Sequence, residues 1–233
     1  MSAEALIEKL FEALIHGDRP RARLVVQEAE RTLGSPEALI EQVFWPTHEH
    51  LEKLFREDKL ATINHHLASR LLRVLVDQTA ASLPFNTSRN RSILAFCGPS
   101  DADELGAQMA VDLLEAAGFR VCFGGGGIAG DEIMARVHDA KPDVLLMFSS
   151  NPHDLPDIRA IIDRVREGGA CPDLQIAVGG GVFNRADGLA EEIGADIWAD
   201  TPLEMVESLV ECPDQRAARS RQTVGRSRRR KVA

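Results

Sequence analysis

The sequence predicts a chain in two parts: a helical bundle at the N-terminus, followed by an α/β domain with a five-stranded parallel sheet. Residues 1–82 carry apolar side chains at helical spacing, whereas residues 92–212 alternate short apolar strands with amphipathic helices. Between them, residues 83–91 contain a proline, polar turn formers and no apolar period, which indicates a linker. Residues 213–233 are predicted to form a basic, disordered tail.

The first two helices are defined by an apolar face and by their end signals. Leu6, Leu10 and Leu14 recur at helical spacing, and the glycine at position 17 should end this helix. A second helix is predicted over residues 20–33, with a proline near its start and a glycine just after its end.

Two further helices complete the predicted bundle. Ser35 can cap a third helix and Pro36 suits its first turn, while Pro46 should end or kink it. A fourth, long helix is predicted over residues 65–81. Four helices of this length can pack as a small bundle.

Strands and helices alternate through the second part. Predicted strands cover residues 92–97, 120–123, 143–149, 174–178 and 196–198. Predicted helices cover residues 103–117, 130–140, 155–167, 185–193 and 202–210. This alternation favours a flavodoxin-like (Rossmann-type) domain, in which a ligand binds at the carboxyl ends of the strands, where the strand order reverses.

Composition and charge limit the compartment and the partners. The chain has no apolar run long enough to cross a membrane and no signal-peptide pattern, so we expect a cytoplasmic protein without membrane contact. The net charge of −9 does not suit a surface for duplex nucleic acid. The basic tail, between Arg216 and Lys231, is the one segment expected to make a weak nucleic-acid contact.

The four cysteines are Cys97, Cys122, Cys171 and Cys212, and none has the C-x-x-C spacing of zinc or redox motifs. Cys97 and Cys122 fall within apolar strands and are predicted to be buried as small apolar side chains.

Unusual residues gather at the predicted carboxyl ends of the strands. Glycine runs follow the second and fourth strands, at residues 124–127 and 179–181. Polar segments follow the first and third strands, at residues 98–103 and 149–152. Because glycine allows a ligand to approach the backbone closely, these loops predict a ligand cleft. The alternative is that they are tight turns packed against each other.

The segment Asp101-Ala-Asp-Glu-Leu-Gly106 resembles the D-x-H-x-x-G signature of vitamin B12-binding domains. In that family the histidine binds cobalt from below the corrin ring, but here Asp103 stands at its position. The resemblance also implies that Ser149 or Ser150 faces the nucleotide tail of the cofactor. The double glycine at positions 179 and 180 would leave room for the dimethylbenzimidazole base.

The N-terminal part resembles the helical cap that such domains often carry. Pro46 precedes Phe55 at the spacing where the cap has a proline and then an aromatic residue, which implies that Phe55 lies over the upper face of the ring. His66 matches the histidine of the cap segment E-H-x-x-S, and His65 stands where that segment has glutamate.

The resemblance implies cobalamin as the cofactor, with heme as the alternative tetrapyrrole. The predicted cofactor-binding residues are Phe55, His65, His66, Ser100, Asp101, Asp103, Gly106, Ser149, Ser150, Gly179, Gly180 and Gly181. The predicted axial ligands are His66, His65 and His153, and the cap also contains His48 and His50. For Ser100 and Asp101, capping of a helix N-terminus is the competing interpretation.

The function predicted first is that of a cobalamin-binding sensory or regulatory protein, whose ligand changes the cap or an interface. Its partners would be the tetrapyrrole, a regulatory protein and a second copy of the chain. One alternative is a corrinoid carrier of a methyltransferase system, and others are a heme-binding sensor or an apo antirepressor. No catalytic residues are predicted, since no nucleophile–base arrangement or phosphate-binding loop is present.

Overall fold

A computed structural model describes residues 2–169 and 171–217. Its N-terminal part contains helices α1 (Ala3–Ile15), α2 (Arg19–Leu33), α3 (Pro36–Leu39), α4 (Trp45–Arg56) and α5 (Thr62–Ala80). The cap signals act as predicted: Gly34 ends α2 in the left-handed region at φ 77°, and the Ser35 hydroxyl accepts a hydrogen bond from the Ala38 amide. None of the helices in the described ranges is both long and apolar enough to span a bilayer.

The third predicted helix continues through Pro46 instead of ending there. A π-helical segment, Ile40–Phe44, joins α3 to α4, and Pro46 lies in the first turn of α4. A proline has no backbone N–H, so it fits where the hydrogen-bonding pattern of the helix changes. The segment brings Trp45 and His48 onto the buried side of α4.

The second part is a parallel sheet with the strand order β2-β1-β3-β4-β5, as predicted for a flavodoxin-like domain. Its strands are β1 (Ser92–Cys97), β2 (Arg120–Gly126), β3 (Val144–Phe148), β4 (Gln175–Gly179) and β5 (Ile197–Ala199). Its helices are α6 (Asp101–Ala116), α7 (Gly130–Ala140), α8 (Leu155–Gly168), α9 (Gly181–Asn184), α10 (Leu189–Ile193) and α11 (Pro202–Glu211). The strand order reverses between β1 and β3.

Two apolar cores cover the two faces of the sheet. One core lies under α7, α8 and α10 and includes Ile161 and Val178. The other runs from the sheet through α6 and α11 into the N-terminal helices, where it includes Leu10 and Leu72. The cap and the α/β domain therefore share one core. Polar contacts add to it, since Arg73 of α5 forms an ion pair with Glu104 of α6 at 3.2 Å.

Three local predictions differ from the structure. Of the helix predicted over residues 185–193, only Leu189–Ile193 is helical, as α10, because Gly188 adopts a left-handed conformation at φ 78° just before it; α9 at Gly181–Asn184 was not predicted. Strand β2 extends through the first glycines of the run at 124–127, so that Gly126 pairs with Cys97. Cys122 is exposed, not buried, because it lies on the edge strand β2.

The chain stays attached to the α/β domain as far as Ala217, inside the segment predicted as tail. Asp196 has a fully buried side chain that accepts hydrogen bonds from Arg166, from the Ile176 amide and from the Ala217 amide. The Arg216 side chain donates to the Asp173 carbonyl. The remainder of the basic segment, residues 218–233, lies outside the described residues.

Asp196→Asn should lower the free energy of unfolding by about 3 kcal/mol, because it leaves Arg166 without its buried counter-charge. Urea denaturation measures the change. The matched control is Asp163→Asn, which breaks an exposed pair with Arg159 at 2.9 Å and should cost less than about 1 kcal/mol. Equal losses in the two variants would contradict a structural role for the Asp196 pair.

Asp112→Asn should change how stability depends on pH. Burial is the main cause that raises the pKa of Asp112 from 3.8 to about 6; Glu115 and Asp77 add to the rise, and a hydrogen bond from Gln108 opposes it. Because the pKa is raised on folding, this group stabilises the fold at low pH, and the contribution is lost as the pH rises through about 6. The variant should therefore be more stable than the parent at pH 7.5, by about 1 kcal/mol after allowance for solvent screening.

Thermal melts from about pH 4.5 to 7.5 test this expectation, with the exposed Asp139→Asn of α7 as the control. The difference between the Asp112 variant and the parent should shrink steadily toward the acid end. A difference that stays constant over this range would contradict the argument.

Candidate functional site

The turn between β1 and α6 is held by the side chain at the position of the missing histidine. Asp103 is 5% exposed, and each of its carboxylate oxygens accepts a hydrogen bond. Oδ2 accepts from the Ser100 hydroxyl at 2.5 Å, and Oδ1 accepts from the Ser150 amide at 2.6 Å. The Ser100 hydroxyl also caps α6 by accepting from the Asp103 amide at 3.0 Å. Asp103 thus ties the ends of β1 and β3 together where the strand order reverses.

A second carboxylate lies beside the first across the backbone of Gly98. Asp154 accepts a hydrogen bond from the Ser149 hydroxyl at 2.7 Å. A Cβ on Gly98 would stand only 2.6 Å from Asp103 Oδ2 and 2.7 Å from Asp154 Oδ2. Only glycine fits between these groups. Ser149 is fully buried, whereas Ser150 lines the crevice between the cap and the sheet.

The three glycines at the end of β4, at positions 179–181, have different surroundings. A Cβ on Gly179 would stand 2.9 Å from the ring of Phe148, so this ring fills the room that the double glycine was predicted to leave. Gly180 has φ 99°, and its Cβ position lies 2.5 Å from the Ser149 carbonyl oxygen. Gly181 begins α9 and borders open space.

A crevice of about 360 Å³ separates the cap from this edge of the sheet. The cap contributes α4 as one wall. The other wall comes from the ends of β3 and β4 and from α9. The lining side chains are those of Trp45, Pro46, His48, Glu49, His50, Glu52, Lys53, Arg56, Ser150, Asn184 and Arg185.

The crevice walls carry polar atoms that have no partner. Within the described residues, the buried Trp45 Nε1–H donates no hydrogen bond, and the buried Asn184 Oδ1 accepts none. Burial, together with the charge of Arg56, lowers the pKa of Arg185, which donates to the Ser150 carbonyl at 2.6 Å. The crevice therefore offers a donor, an acceptor and two guanidinium groups to a ligand with amide and anionic groups.

His48 of α4 points from the cap toward the α/β domain. It is 8% exposed, and its Nε2 atom lies 3.3 Å from the position that a Cβ on Gly106 would take. Gly106, the last residue of the signature, therefore leaves room for this imidazole and for the ring of Trp45. Burial lowers the pKa of His48 although Glu52 and Asp103 raise it, so the ring is neutral at neutral pH.

The predicted cap residues Phe55 and His65 form a cluster inside the cap with Glu52. His65 Nε2 lies 2.6 Å from Glu52 Oε1, and the Phe55 ring stacks on the His65 ring at 4.0 Å. Burial alone would raise the pKa of Glu52. The hydrogen bond with His65 and the neighbouring His48 outweigh it and lower the pKa, which keeps a carboxylate at this place.

The other predicted ligands lie at the surface. His66 is exposed, and so is His153, whose Nδ1 lies 2.9 Å from Asn151 Oδ1. Asp101 is exposed in the first turn of α6, which agrees with the alternative interpretation of this residue as a carboxylate at a helix N-terminus.

Trp45, Asn184 and Arg185 were not predicted as site residues. Only the tryptophan had a sequence signal, its place directly before Pro46. Asn184 lay between predicted elements, and Arg185 was predicted as the first residue of a helix that begins only at Leu189.

These residues fit the periphery of a corrinoid but offer no lower axial ligand. The unpartnered Trp45 Nε1 and Asn184 Oδ1 match the carboxamide groups that surround a corrin ring, which both accept and donate hydrogen bonds. Asp103 is buried with a hydrogen bond on each oxygen, and its carboxylate is a poor substitute for the missing imidazole on cobalt. Across residues 2–169 and 171–217, no group of three or more metal-ligating side chains stands together.

Comparison with known proteins agrees with this geometry. Residues 91–207 match a family model described as a B12 binding domain, and residues 6–79 match a second model with the same description. Dimethylamine corrinoid protein 1 of Methanosarcina acetivorans is 23% identical over 208 residues, covering 88% of this chain and 96% of that protein. Trimethylamine corrinoid protein 2 of Methanosarcina mazei is 22% identical over 206 residues, covering 87% and 94%.

The fold is also that of a solved corrinoid protein. The structure of the Methanosarcina barkeri monomethylamine corrinoid protein superposes with a TM-score of 0.78 at 16% identity, covering 90% of this chain and 99% of that one. The predicted fold class and the predicted family are both confirmed. The match over residues 91–207, together with that over residues 6–79, makes this chain a member of the B12-binding domain family with an N-terminal cap, and its cofactor is cobalamin.

Proposed function

We propose that this protein is a corrinoid carrier, which holds cobalamin between cap and sheet and exchanges a methyl group with methyltransferase partners. The observation that carries the proposal is its alignment with dimethylamine corrinoid proteins over almost their whole length, 94–96% of each relative for the first two matches. Methylated amines are accordingly the proposed source of the methyl group. When bound, cobalamin supplies a cobalt centre that accepts and donates a methyl group.

The chain's own residues would bind and orient the cofactor. Trp45 Nε1 and Asn184 Oδ1 would pair with carboxamides at the ring edge, and Arg56 and Arg185 would bind the phosphodiester of the nucleotide. The crevice of about 360 Å³ is at the small end for ligand sites, so α4 must move away from Ser150 and Gly181 to admit the ring. Such opening would also give a partner access to the cobalt.

The sensory interpretation rests on Asp103. A carrier cycles cobalt through several redox states, and a histidine from below is the usual means of tuning them. Its replacement by an aspartate that is hydrogen-bonded on both oxygens favours a protein that holds the cofactor without transferring methyl groups. The comparisons favour the carrier, because the relatives named above are corrinoid proteins of methylamine metabolism.

Transfer of an isotopically labelled methyl group separates these two functions. The cobalamin-loaded protein is reduced with titanium(III) citrate and incubated with labelled dimethylamine and an amine methyltransferase fraction. We expect label in the protein-bound corrinoid, and none when the carrier or the methyltransferase is left out. Stable cobalamin binding without any label transfer would reject the carrier and support the sensory alternative.

Trp45→Phe should weaken cobalamin binding, because it removes the unpartnered Nε1–H and keeps an aromatic ring. We expect the Kd for hydroxocobalamin to rise about fivefold, as for the loss of one hydrogen bond of about 1 kcal/mol. Absorption titration measures it. The control is Trp198→Phe, since Trp198 lies on β5, is 37% exposed and does not line the crevice. The same Kd for both variants would contradict the proposed contact.

A further inference from the structure

An imidazole without a hydrogen-bond partner faces the crevice from the cap. His48 is 8% exposed and lines the crevice, with its Nε2 edge directed at Gly106 of α6. Within residues 2–169 and 171–217, neither of its ring nitrogens forms a hydrogen bond. Among the described residues, the fully buried polar atoms without a partner do not include the nitrogens of His48, so these nitrogens remain accessible from the crevice.

The other donors near the crevice are already engaged or lie elsewhere. Asp103 accepts a hydrogen bond on each carboxylate oxygen. His65 bonds Glu52 through Nε2 and stacks on Phe55; its Nδ1 has no partner among the described residues, but it is buried inside the cap and does not border the crevice. His50 borders the crevice but is exposed, and its ring lies edge-on to Phe11 at 4.8 Å.

The surroundings of His48 suit a metal ligand. The ring lines the crevice and packs against Gly106, with no hydrogen-bond partner among the described residues, so a nitrogen can bind a metal there. Glu52 follows His48 by one helical turn on α4, and its charge acts on the ring. Glu52 forms its hydrogen bond with His65 and not with His48, so both ring nitrogens of His48 stay open to a ligand.

We propose that His48 is the axial ligand of the corrinoid cobalt, supplied by the cap in place of the histidine that position 103 lacks. Cobalt favours an imidazole nitrogen over a carboxylate oxygen. The Nε2 lone pair forms the new bond, a water molecule leaves the axial position, and no electron or proton is transferred. The inference rests on the corrinoid binding proposed above and is independent of methyl transfer.

Electron paramagnetic resonance of the protein loaded with cob(II)inamide tests this assignment. Cobinamide lacks the dimethylbenzimidazole base, so a nitrogen splitting of the cobalt lines can come only from the protein. The parent protein should show a triplet from one nitrogen, and labelling its histidines with nitrogen-15 should turn this triplet into a doublet. His48→Gln should lose the splitting but still retain cobinamide on gel filtration.

Matched variants exclude a general effect on the fold. His50→Ala and His66→Ala should keep the triplet, and His48→Ala with added imidazole should recover it. Circular dichroism verifies that each variant is folded. A triplet that survives in folded His48→Gln, or a parent protein that holds cobinamide without any nitrogen splitting, would overturn the inference. If neither cobinamide nor cobalamin is retained by the parent, the proposed function fails as well.

Discussion

The hydrogen bond from the Ser150 amide to the Asp103 carboxylate is the constraint on which the rest of the site depends. It joins the loops after β1 and β3 at the point where the strand order reverses. In a parallel sheet this is where a ligand enters, so a closed link there decides what the ligand meets. Because both oxygens of Asp103 accept hydrogen bonds from the neighbouring loops, this end of the sheet faces the ligand with backbone and without an imidazole. Any metal-binding group must then come from the opposite wall.

The opposite wall packs closely against α6 because Gly106 has no side chain. Trp45 and His48 pack into the space where a Cβ would stand, and the shared apolar core continues from the sheet into the cap behind them. The cap is therefore part of the site and not a separate lid. A cap-side bond to cobalt would occupy the face on which a methyl group is exchanged, so a carrier built this way must break that bond in each transfer cycle.

The architecture could be predicted from the sequence because it depends on local patterns. Strand periodicity and the glycine-marked turns gave all five strands, and the signature at Asp101–Gly106 indicated the family. The identity of the site residues could not be predicted in the same way. His65 and His66 are adjacent on α5, yet one is buried against Glu52 and the other is exposed, a difference set by tertiary packing. Asn184 is the last residue of α9, a short helix that was not predicted, and Arg185 follows α9 outside any helix, although a helix was predicted to begin there.

The π-helical segment Ile40–Phe44 has a consequence for sequence variation in this protein. A π-helical turn contains one residue more than a regular turn. Every following side chain of α4 is therefore rotated by about 100° around the helix axis relative to a regular helix. Deleting one residue from this segment would let the helix run regularly into Trp45. The imidazole of His48 would then rotate away from the buried face of α4 by roughly 100°. Insertions and deletions just before Pro46 should therefore be tolerated far less than in the loop at residues 57–61, although both lie at the ends of the same helix.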